Sequence, residues 1–387
     1  MTAIGRCWFS PIRLFLSWTF GVSLWVVANP KGYGQPLLPT GISSTSGAPV
    51  NAVYTTDKLT VIQSGPLNAR TIINWGTWGS STTGFDIGSG NSVEFVQPGT
   101  HSAILNRDIT GNPSQILGAI QANGEVYLIN TAGITIGNGA VINAFSFGAS
   151  TFDVNDNDFL NGFPSGHVLL TQTAPGVSLS VNGSSITASN QGGHVVLVSN
   201  NIRIGTSTLT GTYVGLAAAN GSVDINLVGT TPIVQGLYGD THITIGQPGG
   251  EVHIVNSDVT ASNGLSIGGQ IDIATGIAKI EHSNLAANGT LAGGNINIFA
   301  NSSPSTNQGK SVLINGGSQL SVASSSGQGG TIAIFSQNQY LSAASTQWDA
   351  LGGSSTLDGE IFIEQANVRL KPIVNGAYTP APIIFQP

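Results

Sequence analysis

Apolar positions in this chain come in short alternating runs, each closed by a cluster of Gly, Asn and Ser. Between residues 115 and 162 the β-branched runs 126–129, 134–136 and 141–142 are separated by such clusters, the pattern of short strands turned back repeatedly. Confident strands begin at 59–62 and 71–75, and two more flank the turn QPGT at 97–100. After residue 28 no run of ten or more residues carries a 3.6-residue apolar period, so the chain reads as all-β.

A repeat emerges downstream of Ser178. Its core is Gly-Gly-x-β-x-β, where β is Val or Ile in most copies: GGHVVL at 192–197, GGEVHI at 249–254, GGQIDI at 268–273, GGNINI at 293–298 and GGTIAI at 329–334, with looser copies at Gly124, Gly221 and Gly359. A shorter strand ending in small residues precedes most copies: SITAS at 185–189, DVTAS at 258–262, NLAAN at 284–288 and QLSVA at 319–323. A constant core at variable spacing suits a right-handed parallel β-helix, a solenoid whose insertions become corner loops. The period of two sends Val and Ile to the lumen and Thr, Asp, Asn and His outside. Glycines are expected where the chain turns with positive φ or lies close to the next rung. An antiparallel sandwich would instead show matched hairpins, and the matches here are between rungs. Trp75, Trp78 and Phe85 are expected to form an aromatic-rich N-terminal cap, since an open solenoid end exposes unpaired backbone.

Composition sharpens the class. Of 387 residues 53 are Gly and only 7% are charged, while 40% are hydrophobic and the net charge is −7. That excludes a disordered chain and, lacking a basic stripe, argues against a nucleic-acid partner. Residues 1–28 read as a signal peptide: Arg6 and Arg13 precede the apolar stretch 14–27, and VVA at 26–28 places a cut after Ala28. The single cysteine, Cys7, lies in that segment, so the exported form would need no disulfide. Residues 29–48 read as a linker, 49–165 and 166–365 as two stretches of the solenoid, and 366–387 as a Pro-punctuated tail with no room for a toxin module.

Candidate chemistry is sparse. The run DVNDND at 153–158 puts Asp158 where an EF-hand needs Gly and leads to Pro164 where it needs Glu, so it is expected to be a solvated loop whose Asp and Asn cap turns. The six histidines never fall at metal-ligand spacing. Acidic residues after 165 are scattered, and only Asp358, Glu360 and Glu364 come close together. No catalytic residue, metal site or cofactor is expected; a carbohydrate-active β-helix enzyme, a lyase or hydrolase, is the alternative.

Several blocks in the first half, in order, resemble the N-terminal secretion domain of two-partner-secretion exoproteins of the filamentous haemagglutinin type, a likeness that places that domain at 49–165. They are FDIG at 85–88, VEFVQP at 93–98, ILNR at 104–107, GNPSQILG at 111–118, IQANG at 120–124, VYLIN at 126–130, GI at 133–134, GAVIN at 139–143, AST at 149–151 and DFL at 158–160. Where the family has Asn-Pro-Asn-Gly-Ile, this chain has NTAGI at 130–134, and the segment between Trp75 and Phe85 is longer than usual. The resemblance implies export across the outer membrane of a Gram-negative bacterium by a dedicated transporter whose periplasmic domains recognise this region. On it, Asn112, Pro113, Asn130, Gly133 and Ile134 become the secretion-recognition residues. It also implies a secreted or surface-held adhesin that binds a host cell, a neighbouring cell or a glycan.

Overall fold

A computed structural model describes residues 38–226, 243–247, 250–264, 266–301, 310–367, 369 and 371–386. The residues read as signal peptide, 1–28, and the first part of those read as linker, 29–37, therefore lie outside the described residues. The chain coils as a parallel β-helix, visiting three long sheets in turn. Among the described residues sheet one has 12 strands, sheet two 8 and sheet three 13. One turn is Glu125–Ile129 in sheet one, Ile134–Ile136 in sheet two and Val141–Ala144 in sheet three. Each pairs in parallel with the turns before and after it.

The lumen is filled by ladders of identical register. In sheet one Ile104, Val126, Phe147, Val195, Val214, Ile271, Ile296, Ile332 and Ile361 stack in line, every one at most 1% exposed. Burying such a side chain stabilises the fold by roughly 1.5–3 kcal/mol, so the alternation in the sequence fixes which face turns inward. Sheet three runs Ile186, Leu209, Val259, Leu285, Leu320 and then Trp348 and Tyr378. These last two rings stack at 5.0 Å, and with Tyr340 they fill the C-terminal end of the lumen.

Each corner has its own chemistry. Between sheets three and one sit the Gly-Gly pairs. A Cβ on Gly193, Gly269, Gly294, Gly330 or Gly359 would overlap a backbone carbonyl oxygen of a neighbouring turn. These residues are not in the positive-φ region, so of the two reasons for glycine, close approach is the one that holds here. Between sheets two and three the first corner residue is left-handed in successive turns: Gly183, Thr206, Asn256, His282 and Gly316 have φ of 61°, 51°, 49°, 51° and 65°. Buried serines then form a ladder. The N–H of Ser184 donates to Ser207 Oγ, Ser207 to Ser257, Ser257 to Ser283 and Ser283 to Ser318, at 3.1–3.3 Å. Ser257 Oγ in turn donates to Val255 O at 2.8 Å. Replacing Ser257 by Ala leaves the Ser207 N–H buried without its acceptor. The expected cost is about 1–3 kcal/mol, read as a lower denaturation midpoint in urea.

Several expectations need correction. The segment read as linker ends in a strand, Ile42–Gly47, that pairs antiparallel with Arg70–Trp75 and covers the first turn. Together with Val50–Tyr54 on Lys58–Gln63 it caps the N-terminal edge. Trp75 and Phe85 do pack inside that end, 5.6 Å apart and fully buried, but Trp78 is 80% exposed and takes no part in the plug. The tail read as 366–387 adds Ala377–Thr379 to sheet three and Ile383–Phe385 to sheet one. The copy at Gly250 opens a strand of sheet two, not sheet one. The copy at Gly221 belongs to neither: Asn220–Asn226 joins Phe152–Val154, His167–Gln172 and Ile243–Gln247 in a separate antiparallel sheet. That sheet covers the outer face of sheet one, where Phe152, Phe159, Leu170 and Val223 bury Ile72, Leu105, Ile129 and Val198. Outward positions of sheet one are therefore not all solvated. Asp272 is 0% exposed and accepts from Tyr213 Oη, Gln270 Nε2 and Asn297 Nδ2 at 2.9–3.1 Å.

The acidic run is likewise more than a solvated loop. Asn155 caps the short helix Asp156–Leu160 by accepting from the N–H of Asn157 and Asp158. Arg107 binds Asp153 at 2.9 Å and Asp156 at 2.7 Å. Burial opposes the charge on Arg107, but the two carboxylates outweigh it and hold its pKa above the usual value. This clamp fixes the start of the covering layer to sheet one.

Candidate functional site

Asn112, Pro113, Asn130, Gly133 and Ile134 meet at one place, the corner between sheets one and two on two successive turns. The earlier turn supplies 108–114 between Ala103–Asp108 and Ser114–Ile116; the later supplies 130–134. Ser114 pairs with Ile134, and the Ser114 N–H donates to Gly133 O at 3.0 Å. Gly133 has φ 129° and lies in ordinary contact with Pro113, so its backbone conformation and not crowding is what favours glycine there.

The five residues do not face the same way. Asn112 and Pro113 are exposed, whereas Asn130, Gly133 and Ile134 are buried, Asn130 and Ile134 to 1% exposure. The Asn130 amide points inward and knits the corner together. Its Nδ2 donates to Asn112 O at 2.8 Å and to Ser114 Oγ at 2.9 Å, and its Oδ1 accepts the Ala132 N–H at 2.8 Å. An Asx turn of this kind does locally what Pro-Asn would do in the same place.

Ser114 carries the network one layer further, to residues that sequence reasoning missed. Its hydroxyl donates to Asp108 Oδ2 at 3.1 Å. Asp108, 6% exposed, also accepts from the N–H of Phe85 and Thr110 and from Thr110 Oγ1 at 2.6–2.9 Å. A carboxylate so fully satisfied is the junction of three turns: it ties the 77–85 loop, the 110–113 corner and, through Ser114, the 130–133 corner. The signal in the sequence is the pair of family-like blocks FDIG and GNPSQ, which flank Asp108 without including it.

Beside this junction lies Asp86, whose Oδ1 accepts the Gln115 N–H at 2.6 Å. Burial, only partly offset by that hydrogen bond and reinforced by the charge of Asp108, raises its pKa to about 6. A carboxyl whose folded pKa lies above its unfolded value binds protons more tightly when folded, so its contribution to stability grows as pH falls from about 6 toward 4. Asp86→Asn keeps the acceptor for Gln115 and removes the charge. Relative to wild type it is expected to gain about 1 kcal/mol at pH 7, once solvent screening is allowed for, and to lose that advantage near pH 4. Thermal unfolding of both proteins at the two pH values checks it.

A cavity of about 620 Å³ lies elsewhere, between the outer face of sheet one and the covering layer. Leu105, Tyr127, Val196, Phe159 and Leu170 line it, and Glu125 is the one carboxylate in its wall. Burial raises the pKa of Glu125, against the Tyr127 hydroxyl that donates to it at 2.9 Å. Asp358, Glu360 and Glu364 are remote from it: Glu360 and Glu364 lie on Glu360–Gln365, and Asp358 accepts from the Gly352 N–H.

Comparison with known proteins gives a consistent picture. The family model of the TPS (two-partner secretion) secretion domain matches residues 41–322. Two heme/hemopexin-binding proteins of Haemophilus influenzae are 39% identical over 128 residues and 41% over 100 residues. Those alignments span 32% and 26% of this chain and only 13% and 10% of the relatives. The crystal structure of the HMW1 secretion domain from Haemophilus influenzae superimposes with a TM-score of 0.57 at 18% identity, covering 90% of this chain and 100% of that one.

Proposed function

Because the chain belongs to the TPS secretion-domain family, we propose that a dedicated outer-membrane transporter recognises its 108–134 corner, carries it out of the cell, and leaves it secreted or surface-held as an adhesin-like binding protein. The observation that carries the export reading is the division of labour at the corner. Asn130, Gly133 and Ile134 shape it from within, and Asn112 and Pro113 stand on its surface. Substituting Asn112 and Pro113 together by Ala is expected to weaken binding of purified protein to the transporter's periplasmic domains while lowering stability by no more than about 1 kcal/mol, the worth of the Asn112 Nδ2–Ser80 O hydrogen bond it also removes. Undiminished binding would remove these two residues from the interface.

The binding role has its own test. Both curated relatives are named for binding. The cavity above sheet one offers one carboxylate where glycoside hydrolysis uses a pair. The purified chain is expected to bind host or neighbouring cells or a glycan saturably and to leave polysaccharides intact. Glycan cleavage abolished by Glu360→Gln or Glu364→Gln would reverse this reading in favour of an enzyme.

A further inference from the structure

The cavity between the outer face of sheet one and the covering layer has a built floor. Tyr127 and Gly148 are register partners on neighbouring strands, and both line the cavity. A Cβ on Gly148 would come within 2.6 Å of the Tyr127 ring, so glycine is what lets that ring lean across the sheet. Pairing runs in unbroken register through 147–150 on both sides, so no bulge accounts for a glycine in mid-strand. The ring is then held from two directions. Its hydroxyl donates to Glu125 Oε2 at 2.9 Å, and Phe159 of the covering layer meets it edge-on at 6.0 Å. Over this floor Tyr127, Val168 and Val196 remain half-exposed, although each packs against the buried cluster beneath the covering layer. The space of about 620 Å³ falls within the roughly 300–1,000 Å³ of small-molecule sites, and its apolar walls with a few convergent polar groups are of the same kind.

The charges in the wall say what kind of ligand fits. Among the described lining residues Arg70 is the one Lys or Arg and Glu125 the one carboxylate. The Arg70 guanidinium lies over the Phe159 and Phe163 rings, 5.2 and 5.4 Å from their centroids, and donates to Phe159 O at 3.4 Å. Burial raises the Glu125 pKa, while the Tyr127 hydroxyl and then the charge of Arg70 pull it back. A ligand with a net charge would be attracted by one of these two groups, repelled by the other, and stripped of water in an apolar space. A neutral ring escapes all of that cost. It can stack on Tyr127 and give one N–H or O–H to the Glu125 carboxyl group.

We propose that this cavity binds a neutral, flat, largely apolar molecule with a single hydrogen-bond donor, an aromatic amine or phenol in class, stacked on Tyr127 and donating to Glu125. The proposal stands apart from the export reading. The probe is phenyl-naphthylamine, a neutral aromatic amine that fluoresces in apolar surroundings, titrated into the purified folded chain. Anilinonaphthalene sulfonate, the same skeleton with an anionic group added, is the charged control. One neutral probe is expected to bind saturably per chain, and the sulfonate at least about tenfold more weakly because its charge must be desolvated. Val196→Trp fills the cavity from sheet one and Val168→Trp fills it from the covering layer. Each should abolish the signal with the thermal midpoint of the chain retained. A crystal of the probe-bound chain should show the rings over Tyr127. Absence of saturable binding overturns the site, as do full binding in both filled variants or rings found elsewhere in the crystal. The crystal decides the matter even if neither variant folds. Equal or tighter binding of the sulfonate overturns the neutral class of ligand.

Discussion

Gly294→Ala is expected to destabilise the solenoid by about 3 kcal/mol, at the upper end of what overpacking costs. The added Cβ would overlap Gly269 O and crowd the backbone of Gly268. Neither neighbour is a side chain that can swing aside. The strain would also propagate along the stack, because the Asn295 N–H donates to Gly269 O and the Thr331 N–H to Gly294 O, both at 3.0 Å. Gly139→Ala is the control. That glycine has φ 85° with nothing near its missing Cβ, so it should lose only about 1–2 kcal/mol of conformational energy. If the two variants unfold at the same urea concentration, close approach is not what keeps glycine at the Gly-Gly corners.

The second large effect is expected at Asn130. Asn130→Ala removes three hydrogen bonds from a buried corner and leaves Asn112 O and the Ala132 N–H unmatched. A loss of roughly 2–3 kcal/mol follows from about 1 kcal/mol for each of three hydrogen bonds, one buried and two part-buried. Because Ser114 and Asp108 connect that corner to the 77–85 loop, the outer surface should loosen as well. Hydrogen exchange should therefore rise at 110–114 and 77–83, and export should fall with it. Exchange confined to 130–134 would mean that the three turns are not coupled as the network implies.

Much of this architecture was legible in the sequence. The Gly-Gly copies at 193, 269, 294, 330 and 359 do stack in one sheet, and the short strands ending in small residues do stack in another. The misplaced copies have physical causes. Gly250 opens a strand of a different sheet, yet a Cβ there would overlap Asn200 O: a tight corner demands glycine whichever faces it joins. Asn220–Asn226 alternates Val223 and Ile225 with polar residues just as a rung does, and only its distant antiparallel partners place it in the covering layer. At the site the residues were readable and their orientation was not. A motif names Asn130 without telling that its amide turns inward, and a long segment between two buried aromatics does not announce that Trp78 faces out.

Export itself is the most direct test. In cells producing this chain, the amount of mature protein outside the outer membrane should fall to background when the cognate two-partner-secretion transporter is deleted, and return when it is restored. Secretion at normal yield without that transporter would contradict the export reading at its root.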